Sequence, residues 1–423
     1  MNKFRSSQPR LQGTIAFALV AAITAPAHAT DGYFQHGVGV KGKGTGGVAV
    51  ALPQDATSIG ANPATATEID HRVDIGVEVF VPDRSAQISG NAFGLNGNYN
   101  GNGANPFVLG DVAYVRPVSD KVTVGIVFFA NGGMNTVYET NPFGPLGGQG
   151  DAGVDLKQAF IMPTAAVKVA EGHSVGASVV GVVQSFKATG VQPFAGFSAD
   201  PANFTNRGTD WSVGVGFKLG YYGKLTEGFS VGAFYQSKVG TGKFDKYAGL
   251  FADAGGFDVP ESWGVGAAVD VSDKLTVGVD YKKINYDSAP SVGNSIASLF
   301  QGVPFGASDG PGFGWSNIDV LKVGAVWQAS DKFTLRAGYG RSENPIPANE
   351  TFLNILAPGV VQDHFTLGGS VQLSSKAELS AYVMRAPTNR VSGAGSIPPM
   401  LGGGEADIFL AETSGGLSLG FTF

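Results

Sequence analysis

The chain has 423 residues, no cysteine, 64 glycines, only 15% charged residues and a formal net charge of −6. Disulfides and thiolate metal sites are excluded, and an acidic chain without a Lys/Arg cluster is a poor match for nucleic acid. Abundant glycine with few charges and no collagen-like period leaves low-complexity disorder or a β-rich membrane protein.

The first segment reads as a leader. Lys3, Arg5 and Arg10 precede the apolar run Thr14–Ile23 and then Ala27-His28-Ala29, the order of a cleaved secretory signal. The run is well short of the ~20 residues that a spanning helix needs. Cleavage is expected after Ala29, and losing three cations with no acid takes the charge from −6 to −9. No later apolar run is long enough to cross a bilayer as a helix.

Residues 30–70 are rich in Gly and Ala with little alternation. Gly37-Val-Gly-Val-Lys-Gly42-Lys43 nearly spells a phosphate-binding loop, but Gly44 stands where Ser or Thr would hold Mg²⁺ and no buried strand precedes it. Asn62-Pro63-Ala64 is a turn, because Pro63 removes a backbone donor and pushes Asn62 toward extended geometry. A disordered tail would be more charged and less apolar than Gly47-Val-Ala-Val-Ala-Leu52. The segment is expected to fold as a plug, or hatch, inside a barrel, where surrounding protein permits irregular backbone.

From about residue 72 the pattern has a period of two. In Leu275–Lys282 the side chains of Leu275, Val277, Val279 and Tyr281 share one face, with Thr276, Gly278, Asp280 and Lys282 on the other. Val213–Tyr221 and Phe333–Gly340 repeat it, each a strand with one apolar face. Six short connections, three of them containing Ser-Asp-Lys, alternate with longer segments at 83–106, 132–158, 187–208, 241–257, 287–314, 342–360 and 387–411. Six turns and seven loops join fourteen strands, and the last, Gly416–Phe423, places Leu417, Leu419, Phe421 and Phe423 outward. The pattern predicts an all-β fold, a 14-stranded antiparallel transmembrane β-barrel at 71–423 with an N-terminal lumen plug at 30–70. A soluble sandwich would have to find a second sheet for fourteen one-sided strands.

The lumen face is not uniformly polar. Val127, Phe129 and Phe234 point inward by alternation, which suggests an apolar passenger or packing against the plug. Long loops carry Phe194, Phe197 and Phe204, then Phe244, Tyr247, Leu250 and Phe251, then Ile296, Leu299 and Phe300. Their spacing suggests short amphipathic helices exposing apolar patches for binding, with packing over the barrel mouth as the competing explanation. Among inward cations, Lys218, Lys322 and Arg336 are candidates to meet a carboxylate, or to pair with Asp270 and Asp280.

Gly39-Val-Lys-Gly-Lys-Gly-Thr-Gly-Gly-Val48 followed by Asn62-Pro63-Ala64 resembles the hatch of the FadL family of outer-membrane transporters for long-chain fatty acids, with relatives that admit toluene. Asp210-Trp-Ser-Val-Gly-Val-Gly-Phe217 and Asp331–Tyr339, then Asn344-Pro-Ile-Pro347, are similar to that family's sixth and eleventh strands and its proline pair, here bracketing Ile346. The resemblance implies a monomeric barrel in a Gram-negative outer membrane, inserted by the barrel-assembly machinery. It implies capture of an apolar small molecule from the lipopolysaccharide surface in a groove between 187–208 and 241–257, hatch displacement, and lateral exit at an inward kink of the third strand. Carried onto this chain, the kink falls at Asn131, Gly132 and Gly133. Adjacent glycines weaken pairing and permit a bend, unless they only begin the second outer loop. Candidate substrate contacts are Phe194, Phe197, Phe244, Tyr247, Phe251, Phe129, Arg336 and Lys322.

Catalysis is not expected. His36, His71, His173 and His364 remain after leader removal, none beside an evident Ser partner, and they are too scattered for a metal site. Neither a metal nor a cofactor is therefore expected. The alternatives are an aromatic-hydrocarbon channel and a general diffusion porin or structural barrel.

Overall fold

The computed structural model describes residues 31–423; the expected leader, 1–29, lies outside the described residues. Fourteen strands form the wall: β1 (Arg72–Ser89), β2 (Phe107–Pro117), β3 (Val122–Asn135), β4 (Gly153–Ala170), β5 (His173–Thr189), β6 (Asp210–Thr226) and β7 (Phe229–Gln236), then β8 (Glu261–Ser272), β9 (Leu275–Asn285), β10 (Ile318–Gln328), β11 (Phe333–Ser342), β12 (Asp363–Ser374), β13 (Ala377–Val391) and β14 (Glu405–Thr422). Each pairs antiparallel with its sequence neighbours, and β1 closes on β14 from Arg72↔Thr422 to Ser89↔Glu405. Closure leaves no open sheet edge to hydrocarbon. Two short pieces, Gly97–Asn100 and Gly240–Thr241, pair back onto β1 and β6.

The period of two sorts the side chains as expected. On β1, Ile75, Val77, Val79 and Val81 face out and are exposed, whereas Asp74 and Glu78 face in and are buried. Lipid takes the outer set without the penalty that water would impose, and the inner set requires polar partners.

The strands run farther on the loop side than the alternation indicates. β1 continues to Ser89, β4 begins at Gly153 and β14 at Glu405. Beyond the lipid-facing belt, loops cover both faces, as in β4, where six of the first eight residues from Gly153 are buried. Alternation fades there while the hydrogen-bond ladder persists. The outer connections are therefore 90–106, 136–152, 190–209, 237–260, 286–317, 343–362 and 392–404, called outer loops 1 to 7.

The wall has one local parting. The β2–β3 ladder runs from Pro117↔Thr123 to Asp111↔Phe129 and stops, while β3 stays paired with β4 as far as Asn135↔Asp155. A register shift between Ala130 and Gly132 marks the bulge. The glycines lie inside β3 and do not begin the second loop.

Candidate binding cavities and the plug

Residues 31–69 sit inside the ring, because their partners come from strands all around it. A short helix spans Gly39–Gly44, and single 3-10 turns span Ala56–Gly60 and Pro63–Glu68. The Asp55 carboxylate caps the first of these turns by accepting from the Thr57 N–H at 2.9 Å. Asn62 caps the second, its Oδ1 accepting from the Ala64 N–H at 3.1 Å. The Asn62 Nδ2 group donates to Val50 O of the plug at 2.8 Å and to Tyr221 O of β6 at 2.9 Å. One amide thus joins plug to plug and plug to wall. The turn does not end the plug, since Pro63 and Ala64 open a further helical turn.

The cations named from sequence hold the plug. Lys322 donates to the Asp31 carboxylate at 2.8 Å and to His36 O at 2.5 Å. Arg336 donates to Gln54 Oε1 and to Ser370 Oγ, each at 2.6 Å. Lys43 pairs with Glu78, and Lys41 reaches Glu378 at 2.5 Å. Asp280 pairs with no wall cation; its carboxylate accepts from the plug N–H groups of Ala49 and Val50 at 2.7 and 2.9 Å. Asp270 faces solvent and accepts from Thr276. The wall cations therefore meet plug acceptors in place of the expected wall acids. Hydrogen bonds to charged groups contribute about 1.5–3 kcal/mol each, so the set clamps the plug.

The first plug residues also complete β3. Gln35 N–H donates to Asn131 O at 2.9 Å, and Gly133 N–H donates to Tyr33 O at 3.1 Å. They take up backbone groups that β2 no longer reaches. Gly132 has to be glycine here, because a Cβ would lie 1.8 Å from Tyr33 O.

Two cavities flank this junction. The outer one, a narrow ≈ 40 Å³, lies under outer loops 3 to 6 and is lined by Phe186, Phe194, Phe204, Phe251, Phe305, Phe313, Leu353 and Leu356, with Ser291 as its one polar side chain. No charged side chain lines it. Phe194, Phe244, Tyr247 and Phe251 are buried rather than displayed on an outer groove, and Phe197 is half-buried. Phe194 and Phe251 line the cavity, while Phe244 and Tyr247 pack behind it on Phe186, centroids 5.7 and 4.8 Å away. The expected amphipathic helix around Phe244 is a single 3-10 turn, Asp245–Tyr247. Apolar side chains on facing loops bury one another more completely than a helix laid on the surface could.

The inner cavity, ≈ 80 Å³, separates plug from wall and is lined by Phe34, Phe129, Phe160 and Phe234 together with Lys218, Lys282 and Lys322, with His36 and Asp280 also in its wall. Lys322 is engaged as above. Lys282 lies 3.7 Å from Asp31 and over the Phe34 ring at 5.2 Å. Lys218 is buried, donates to Gly60 O of the plug at 2.7 Å and lies over the Phe234 ring at 4.4 Å. Among the described residues no carboxylate lies within ion-pair distance of it. Lys282 was on the inward face of the alternation and could have been singled out from it; the lack of a counter-ion at Lys218 could not.

The cavities are joined by aromatic rings. Phe251 meets Phe257 at 4.9 Å, Phe257 meets Tyr33 at 6.3 Å, and Tyr33 stacks on Phe34 at 4.8 Å. Trp315 closes the cluster against Tyr33 and Tyr286. Among the described residues no group of His, Cys, Asp or Glu is placed to hold a metal ion.

Residues 18–385 match the family model described as outer membrane protein transport protein (OMPP1/FadL/TodX). Among solved structures, a Pseudomonas aeruginosa FadL homologue superposes with a TM-score of 0.69 at 18% identity, covering 93% of this chain and 100% of that one. The P. putida toluene transporter TodX gives 0.66 at 18%, covering 92% and 99%, and the Ralstonia pickettii toluene transporter TbuX gives 0.61 at 18%, also covering 92% and 99%. At such identity these likenesses establish the fold, a closed plugged barrel. No curated protein matches the chain.

Proposed function

The chain belongs to the outer membrane protein transport family (OMPP1/FadL/TodX), and from that premise we propose that it passes long-chain fatty acids passively through the outer membrane. The family membership carries the coarser statement, transport of hydrophobic compounds. The fatty-acid assignment rests on one observation, the buried Lys218 ammonium, which has no carboxylate partner, in a cavity where Phe34, Phe129, Phe160 and Phe234 supply the apolar part of the wall. An uncompensated buried cation is costly, and a carboxylate with an alkyl chain supplies both the missing charge and the apolar surface.

The passenger leaves the lipopolysaccharide surface, enters the outer cavity, and passes Phe257 and Tyr33 into the inner one. Its carboxylate then competes with Gly60 O for Lys218 and with Asp31 for Lys282, which loosens the plug at two points. Exit follows the parting between β2 and β3, where Asn131, Gly132 and Gly133 make the bend and plug residues 33–35 serve as the seal. Each CH₂ kept from water on this route is worth roughly 0.8 kcal/mol. In this reading Arg336 and Lys322 act on the plug, Asn62-Pro63-Ala64 anchor it, and the mature chain works as a monomer without a catalytic step.

A second reading has its own observation. The outer cavity carries no charge, as suits an uncharged monoaromatic compound. Uptake of labelled oleate and of toluene, in cells lacking their own outer-membrane lipid transporter, separates the two. With Lys218→Met, oleate uptake is expected to fall about tenfold, the loss of one charge-assisted contact, with toluene unaffected. Equal loss of both would make Lys218 a structural prop. Toluene uptake without oleate uptake would move the assignment to hydrocarbons.

A further inference from the structure

The parting between β2 and β3 has a frame. Its floor is Asp111↔Phe129, the last pair of that ladder. Its top is outer loop 1, where Gly103 N–H donates to Val137 O and Gly101 O accepts from Val137 N–H, at 3.1 and 3.0 Å. Between floor and top, residues 130–135 of β3 pair with no strand on that side, and plug residues Tyr33–Gln35 back the gap from within. The buried Arg84 guanidinium reaches across from β1. It donates to Asn135 O at 2.5 Å and Asn135 Oδ1 at 3.0 Å on β3, and to Asn105 Oδ1 of outer loop 1 at 2.6 Å. On the way it lies over the Phe107 ring of β2 at 5.3 Å. We propose that Arg84 is the latch of the parting: closed on Asn135 it holds β3 against β1, and it releases onto Glu412 when a passenger leaves. The proposal rests on the transport reading above and names the wall residue that sets the width of its exit.

Three observations carry it. First, the closed state is held by neutral acceptors. Among the described residues the guanidinium meets amide and carbonyl oxygens, with no carboxylate within ion-pair distance. A buried cation bonded in this way keeps its full charge to offer, so a carboxylate can compete for it. Second, such a carboxylate is at hand. Glu412 of β14 pairs with Pro82, two residues along β1 from Arg84 and on the same inward face, a diagonal that long side chains span. Both line one narrow cavity of ≈ 40 Å³, together with Tyr33, Gly133 and Asn135. Glu412 is buried, and its Oε2 accepts no hydrogen bond among the described residues, with His364 Nε2 4.0 Å away. An orphaned buried carboxylate is costly, so a guanidinium that crosses the cavity gains what it gives up on Asn135.

Third, the two arrangements act differently on the wall. On Asn135, Arg84 ties β1 to β3 across the gap. On Glu412 it ties β1 to β14, which are already paired from Arg72↔Thr422 to Ser89↔Glu405. Residues 130–135 are then held by β4 and the plug, and the gap can widen without breaking a rung of the ladder.

The test uses the full chain in bilayers containing a phosphatidylcholine with a diazirine in its acyl chain. Residues 130–135 are buried in the closed wall, so light should attach little lipid there. In Arg84→Met, label on 130–135 is expected to rise about tenfold, the weight of one charge-assisted contact. Ion conductance should stay at the parent's level, because the gap opens to lipid. Maximal oleate uptake should rise while the half-saturating concentration holds; loss of a mere prop would lower uptake. Arg84→Lys keeps the charge without the fork, and its label should fall between the two, which decides the matter if Arg84→Met does not insert. Glu412→Gln removes the release partner. It should cut maximal uptake several-fold in the parent and have no such effect beside Arg84→Met. Label unchanged in the Arg84 variants overturns the latch. Equal slowing by Glu412→Gln with and without Arg84 overturns the exchange of partners. Label that rises as expected in a chain that takes up no oleate retains the latch and sinks the transport reading.

Discussion

Glu350 shows how a single residue sets the stiffness of the outer cap. It is buried in outer loop 6, accepts from Ser295 and Ile296, and burial raises its carboxyl above the usual carboxylate range. A carboxyl raised on docking contributes most when protonated, so its contribution is full below the free value near 4.5 and is lost as pH rises through the docked value. The cap should therefore resist proteolysis of 286–317 and 343–362 better at pH 4 than at pH 7. Glu350→Gln, neutral and nearly isosteric, should flatten that profile and protect the cap at pH 7. A variant that remains as acid-dependent as the parent would assign the effect to another group. At this scale the sequence was partly legible. Alternation placed Lys218, Lys322 and Arg336 in the lumen, and all three are buried there. Which of them lacked a counter-ion depended on where plug atoms such as Gly60 O and Asp31 come to rest, and that is long-range information with no local signal.

Strand β3 is the element in which local pattern and long-range packing meet. Its first half alternates, with Val124 and Ile126 exposed and Thr123 and Val127 buried, and from Val127 to Asn135 every residue is buried. The adjacent glycines announced a weak point, but the plug residues Tyr33–Gln35 that fill it could not be read from 130–133 alone. Gly132→Ala tests the junction, because the added methyl and Tyr33 O cannot both keep their places. The plug start should lose its bonds to Asn131 and Gly133, costing on the order of 1–3 kcal/mol of docking. Hydrogen exchange at Tyr33–Gln35 should quicken while the β3–β4 ladder stays protected. Unchanged exchange would mean that the backbone yields and the close approach is not required. The loops were the least legible elements. Their aromatic content was plain, but contacts such as Phe194 with Phe352 and Phe204 with Phe305 join different loops, at 6.0 and 5.5 Å. Those contacts turned expected surface patches into a buried cap.

At the scale of the whole molecule, wall and plug are stabilised by different means, so they can be separated by experiment. The wall's ladder closes through β1 and β14, and plug backbone enters it only at the parting beside β3; its outer face is apolar and suited to lipid. The plug is held by ion pairs and charge-assisted bonds from Lys322, Arg336, Asp280, Glu78 and Glu378. Removing residues 31–69 strips those wall groups of their plug partners, leaving Arg336 with Ser370 and Glu378 with Gln372 and Ser380. Left dry, each unpaired charge would cost several kcal/mol, so water must fill the lumen. The deletion should therefore still insert as a barrel, with its β-sheet circular dichroism retained. Its ion conductance in planar bilayers should rise at least tenfold over the intact chain. Oleate uptake should then lose its dependence on Lys218, because a carboxylate crossing a wet pore no longer meets a desolvated ammonium. An intact chain that already conducts as well as the deletion would make the plug no barrier, and a diffusion porin the better description. A deletion that fails to insert would show that the clamped charges belong to the folding of the wall itself.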